Sequence, residues 1–326
     1  MIHFLVVGGC VSSFGVFFKT IQDTYVCTAS DVAWIPAIMA FVAFMTVPPA
    51  NLLSSRFGPK PVVVFGGLLM NIGYFLTAFA PTIWVAYFTY GFLIETTTHV
   101  NGEEEPRSVA ESHNLNDVTI SADKVQTQEA SIQWNIVKNP LLYIYALTLP
   151  ISDGSYTTCL MMVYPHATDI GIPKFKAVFL LSLVGICGGV SRLVTGWFAD
   201  LNYVKKKHIY QTATLANGIL FCLFPFAKRY VGLAVMSGLC GVFAGSIVVL
   251  APVLLAEELG LVNMPVTSSV MYSTSAFVML GLNVLAGFLR DVTGDWNESF
   301  LVIGSSSMVA AIINLAEPLA ARYGRR

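Results

Sequence analysis

Leu180-Leu181-Ser182-Leu183-Val184-Gly185-Ile186-Cys187-Gly188-Gly189-Val190-Ser191-Arg192-Leu193-Val194-Thr195-Gly196-Trp197-Phe198-Ala199 is an apolar run that closes on Asp200. Its length matches the roughly 20 residues that an α-helix needs to cross a bilayer core of about 30 Å. Arg192 is the cation inside it. An ionised side chain in such a position costs about 2.5–3.5 kcal/mol on insertion scales, so residues of this kind face a bundle interior or an aqueous path instead of lipid. Ser182, Gly185, Gly189, Arg192 and Gly196 recur at three-to-four residue spacing and share one face of the helix. A neighbouring helix is expected to approach closely along that small-residue stripe.

The rest of the chain repeats the pattern. Of its 326 residues 55% are hydrophobic and 11% charged, with a mean hydropathy of +0.69. A chain of that composition cannot clothe itself in a conventional wet surface, and the natural solvent for it is lipid. A net charge of -1 provides no general attraction to nucleic acid, so function rests on where individual charges stand. Apolar runs near 2–20, 32–53, 62–81, 141–164, 175–199, 209–227, 230–256, 266–289 and 298–317 predict nine membrane helices. The stretch 83–94 is too short to cross alone and runs into Glu95, Thr96, Thr97, Thr98 and His99, as a helix cut off midway would. The first run lacks a basic n-region and a small-residue cleavage site, which favours a membrane helix over a signal peptide.

Between 95 and 138 the composition reverses. Glu103, Glu104, Glu105, Glu111, Asp117, Asp123 and Glu129 replace the apolar residues, and the segment reads as an acidic, disordered linker. It divides the chain into a partial N-terminal bundle over 1–94, of three helices and a stub, and a six-helix bundle over 139–326. With the linker in the cytoplasm, the inner face collects Arg56, Lys60, Lys205, Lys206, Lys207, Arg322, Arg325 and Arg326. The outer loops then hold Lys19, Lys174, Lys176, Lys228, Arg229 and Arg290. This bias favours a cytoplasmic linker and C-terminus. Three complete crossings before the linker do not return the chain to the inside, a parity mismatch that implies missing helices.

Cys10, Cys27, Cys159, Cys187, Cys222 and Cys240 fall mostly within apolar runs, without CxxC spacing or adjacent histidines, and are read as packing residues. Neither a metal cluster, nor a nucleophile beside a base, nor a phosphate-binding glycine loop is legible. The expectation is a protein that is not an enzyme and carries no cofactor or metal.

Motifs in the second half carry a resemblance. Asn139-Pro140 opens a helix that ends near Tyr164-Pro165, and the run 180–200 follows with Ser191-Arg192 and Gly196-Trp197-Phe198-Ala199-Asp200. Leu250-Ala251-Pro252-Val253-Leu254 and Ala286-Gly287-Phe288-Leu289-Arg290-Asp291-Val292-Thr293-Gly294 come later, and Phe14-Gly15-Val16-Phe17-Phe18 and Ser55-Arg56-Phe57-Gly58-Pro59-Lys60-Pro61 lie in the first half. Together they resemble the monocarboxylate transporter family of the major facilitator superfamily. The resemblance implies an all-α membrane protein whose first six-helix half is incomplete and whose second half is complete. Against the family pattern, the acidic-Gly-aromatic segment before the first helix, the end of the fourth helix, and the fifth and sixth helices are missing.

The resemblance also implies functional residues. Arg192 matches the family arginine that contacts the substrate carboxylate, a role suited to a planar fork of donors in a low-dielectric site. The competing reading is an arginine paired with helix carbonyls or a distant acid. Proton-linked members have a lysine in the first helix and an aspartate one turn before the arginine; here those positions are Ser12 and Gly188, which shifts the expectation toward facilitated transport. Asp153 is the candidate replacement acid, against a helix-breaking role beside Gly154. Arg56, Lys60 and Asp200 resemble the superfamily's gating charges at helix ends, although the usual acid before the arginine is Ser55. Lys205, Lys206 and Lys207 read as positive-inside anchors.

The expected function is therefore plasma-membrane carriage of a small organic monocarboxylate or amino-acid-like solute by alternating access. A single-span ancillary membrane protein is the expected partner besides the lipid bilayer. The alternative is a truncated, inactive isoform that pairs with or regulates a full-length transporter.

Overall fold

The computed structural model describes Phe18 and residues 28–57, 139–201, 203–260 and 263–315. The expected helices at 2–20 and 62–81, the stub 83–94 and the linker 95–138 lie outside the described residues, apart from Phe18. Seven long helices follow in chain order: α1 (Ala29–Phe57), α2 (Pro140–Asp169), α3 (Lys174–Asp200), α4 (Lys206–Leu223), α5 (Tyr230–Leu259), α6 (Met264–Thr293) and α7 (Asn297–Leu315). Among the described residues there are no strands. With no water in the hydrocarbon core to satisfy peptide groups, closed helical ladders are what the composition permits.

Local chemistry sets the helix ends. The Asn139 side chain accepts from Leu141 N at 3.0 Å and Pro140 occupies the first turn, where its missing N–H costs nothing. α6 stops at Gly294, whose φ of 84° is open to glycine and whose N–H donates to Arg290 O. Short connections make successive helices antiparallel. The bundle thus has one end at Asn139, shared by the start of α4 and the ends of α3, α5 and α7, and an opposite end at Asp169, shared by the end of α6.

Six of the helices are long and apolar enough to cross a membrane; α2, which has the length, is not among them. The helix expected at 141–164 is present, and no stretch of it is as apolar as those of the other six. α2 carries Thr148, Ser152, Asp153, Ser155, Thr157 and Thr158, and packs against α3, α5, α6 and α7, while Tyr143 and Leu147 near its start stay exposed. Its polar residues, turned mostly toward these neighbours, lower its hydropathy.

Small residues set the helix spacing. A Cβ on Gly245 would press on Gly188 O, and one on Gly241 on Val184 O, so α5 lies almost backbone to backbone on α3. The stripe Ser182, Gly185, Gly189, Arg192, Gly196 is not where α5 sits; among the described residues nothing lies within 4 Å of a Cβ placed on Gly185, Gly189 or Gly196. α3 uses a second small-residue face, Gly188, Ser191 and Thr195, whose hydroxyls bond Val242 O and Ser246 Oγ.

α1 packs antiparallel along α6. The seam runs from Ala33 beside Gly287, through an edge-on Phe41–Phe277 pair with centroids 5.4 Å apart, to a stacked Phe44–Tyr272 pair at 5.5 Å.

Candidate functional site

The buried apolar residues form two clusters, one toward each end of the bundle. Toward Asn139 lie Leu142, Tyr145, Leu149, Tyr210, Leu250 and Leu254; toward Asp169 lie Met162, Leu180, Phe221, Phe224, Trp296 and Phe300. Between them every helix from α2 to α7 turns polar or small. α2 contributes Ser152, Asp153, Ser155 and Thr158; α3 Ser191, Arg192 and Thr195; α4 Thr214 and Asn217; α5 Gly245 and Ser246; α6 Ser275 and Asn283; α7 Ser306 and Ser307. At 1.5 Å rise per residue, Asp153 lies about 20 Å and Arg192 about 12 Å from the Asn139 ends of their helices. The polar belt therefore occupies the middle of the bundle.

Much of the belt is internally satisfied. Thr158 Oγ1 donates to Asn283 Oδ1 at 2.9 Å, Thr148 Oγ1 to Asn314 Oδ1 at 2.7 Å, and the Ser155 and Ser306 hydroxyls meet at 3.1 Å. Such bonds are worth about 0.6 kcal/mol on average between membrane helices. Arg192 differs. Among the described residues it makes no ion pair within 4.0 Å, and its Nε is buried without a hydrogen-bond partner. Asp153 and Tyr156 of α2 lie within its electrostatic reach, and Tyr210 of α4 lies within that of Asp153. A half-buried guanidinium with an unused, buried donor has strong reason to take an anionic oxygen.

The sequence-derived residues fare unequally. Arg192 and Asp153 lie within electrostatic reach of each other across α2 and α3 without forming an ion pair. The helix-breaking role of Asp153 is not observed: α2 runs unbroken from Pro140 to Asp169, and Gly154 instead admits Leu282 and Met279 of α6. Arg56 stands in the last turn of α1 and Asp200 closes α3, both at the Asn139 end. Ser12 and Lys60 lie outside the described residues. Gly188 has a structural account, since a Cβ there would stand 3.3 Å from Gly241 O, so a carboxylate side chain would be driven against α5. Lys206, read as a plain anchor, pairs with Glu257 across α4 and α5.

Tyr156, Tyr210 and Asn283 were missed by sequence reasoning, which ranked charges and glycines ahead of hydroxyls and amides. The polar cluster at the Asp169 end was missed as well, although its signal lay in the quoted 286–294 motif. There Arg290 Nη2 bonds Asp169 Oδ2 at 2.9 Å, and Trp296 Nε1 reaches the same oxygen at 3.2 Å.

The fold is that of major facilitator superfamily transporters. The chain superimposes on the nucleoside transporter NupG with a TM-score of 0.69 at 12% identity, covering 97% of each chain. On the E. coli fucose:proton symporter FucP the TM-score is 0.61 at 13% identity, covering 96% of this chain and 99% of that one. In sequence the protein is similar to monocarboxylate transporters. It is 25% identical to monocarboxylate transporter 13 of Bos taurus, over 95% of this chain and 85% of that one. To human monocarboxylate transporter 2 it is 23% identical, over 91% of this chain and 79% of the other. No family model matches the chain. The protein is thus a multi-pass membrane protein with a transporter fold. Its alignment to the Bos taurus relative runs over 367 positions although the chain has 326 residues, so at least 41 aligned positions fall opposite gaps in this chain.

Proposed function

We propose that the protein is a secondary transporter of a small carboxylated organic solute, with Arg192 as the group that receives the carboxylate. The observation that carries this is the unpartnered Nε of Arg192 within the mid-bundle polar belt. An anion bound there would gain a charge-assisted bond that the folded chain leaves unmade. Asp153 and Tyr156 lie within electrostatic reach of the same guanidinium.

The domain reading belongs to this proposal: a partial first bundle over 1–94, a cytoplasmic acidic linker over 95–138 and a second bundle over 139–326, in the plasma membrane. Alternating access arises when one bundle rocks against the other, with Ser12 near the solute and Arg56, Lys60 and Asp200 gating the inner side. With Ser12 and Gly188 at the proton-linked positions, the proposed mode is facilitated diffusion.

A second reading is favoured by one observation, the open Gly185, Gly189, Gly196 face of α3. The 41 or more gapped positions are about two membrane crossings' worth of chain. A chain lacking two helices of a cavity wall is expected to pair with a full-length relative and modulate it.

Uptake of labelled monocarboxylates and aromatic amino acids by cells expressing the chain decides between them, beside Arg192→Ala and a version with the gapped helices restored. Arginine-dependent uptake by the chain alone establishes the carrier. Uptake only after restoration favours the pairing reading, and no uptake by either form removes the proposed solute class.

A further inference from the structure

The first turn of α1 has backbone N–H groups with no helical acceptor, and every one of them is accounted for. Asp31 N donates to Thr28 Oγ1 at 3.2 Å, while Thr28 N and Oγ1 donate to Asp31 Oδ2 at 3.0 and 2.8 Å, a local capping box. Val32 N donates to Thr28 O. The two left over, Ala29 N and Ser30 N, donate to the two carboxylate oxygens of Asp291 at 2.9 and 2.8 Å, 262 and 261 positions away in the chain. A fork of this kind at the positive end of a helix dipole is charge-assisted.

The last turn of α6 holds two partners at once. Asp291 takes the start of α1, and its neighbour Arg290 takes Asp169 at the end of α2, with its guanidinium 5.8 Å from the Trp296 ring centre. Phe18 packs edge-on against the same tryptophan at 5.7 Å. The close approach depends on Gly287, where a Cβ would stand 3.0 Å from Ala29 O and clash with the Ala33 side chain.

We propose that Asp291 is the latch that closes the Asp169 end of the molecule between α1 and the C-terminal helices, and that this fork of hydrogen bonds breaks each time that end opens. The inference rests on the alternating-access reading and deepens it. The α1–α6 seam is graded in a way that suits the role. Its middle is aromatic and apolar, Phe41 on Phe277 and Phe44 on Tyr272, whereas its Asp169 end is polar and reaches the half-buried Ser30 and the exposed Thr28. Separation of the polar end returns the carboxylate and both N–H groups to water, which replaces most of what is lost. Separation of the aromatic middle has no such compensation, so the middle serves as the pivot. The helix ends that carry Arg56 and Asp200 stand at the other end of the molecule.

The test uses the full chain in lipid nanodiscs, with Asp291→Ala and the isosteric Asp291→Asn. Amide hydrogen exchange over residues 28–34 is expected to rise about five- to thirtyfold in the alanine variant, the size of a lost helix cap, and by less in the asparagine variant, which keeps one carbonyl acceptor. Exchange in α4 and α7 stays unchanged, which separates unlatching from unfolding. Spin labels at Trp34→Cys and Phe175→Cys, both exposed at 40% and 85%, with native cysteines replaced by alanine, are expected to show a second, longer distance in both variants. An unchanged exchange rate or a single unchanged distance overturns the latch. A chain that opens in this way yet shows no Arg192-dependent uptake keeps the latch and loses the carrier.

Discussion

α3 has two small-residue faces about a third of a turn apart, and the structure treats them oppositely. Gly188, Ser191 and Thr195 are pressed against Gly241, Gly245 and Ser246 of α5 with three hydroxyl hydrogen bonds. Ser182, Gly185 and Gly189 are exposed, and among the described residues nothing lies within 4 Å of a Cβ placed on Gly196. Beyond the open face lies a third sector, Phe179, Ile186, Val190, Leu193 and Trp197, all exposed and bulky. That sector suits lipid, where large side chains lose nothing. The open face suits neither lipid nor solitude. The comparison teaches that small residues mark where something comes close, without saying whether it is a helix of the same bundle, another segment, or a solute.

Breaking the packed face is expected to have the largest effect. Gly245→Val places methyl groups where the Gly188 backbone lies, and a loss of about 3 kcal/mol is expected, the upper range for overpacking; reversible unfolding in detergent measures it. Ser246→Ala comes next. It removes the partner of both Ser191 Oγ and Thr195 Oγ1, and about 1 kcal/mol is expected from the same measurement. Thr195→Val keeps the shape and deletes one bond, for about 0.6 kcal/mol; a value as large as that of Ser246→Ala would mean that Ser191 contributes nothing. The smallest stability effect belongs to the open face. Gly189→Val is expected to stay within about 0.5 kcal/mol while abolishing uptake, or pull-down of a full-length relative. A destabilisation like that of Gly245→Val would show that the face is packed after all.

The sequence alone made the class of fold legible. Runs of about 20 apolar residues, charge at their ends and a lone arginine within one of them leave few alternatives in a bilayer, because unpaired backbone is too costly there. It also singled out Arg192 and Asp153, since ionisable residues in such runs are rare. What it left open follows from the same physics. The span expected at 141–164 is the helix α2, but the sequence does not show that its polar residues meet the neighbouring helices. The helical spacing of Ser182, Gly185 and Gly189 was as regular as that of Gly188, Ser191 and Thr195, and only the position of α5 decides which is filled. The polar belt is spread over six helices, two to four residues on each, so no window of sequence contains it. The Asp291 fork joins atoms more than 260 positions apart. Period and composition are local and can be read along the chain, whereas which face meets which neighbour is set by the packing of all the helices at once.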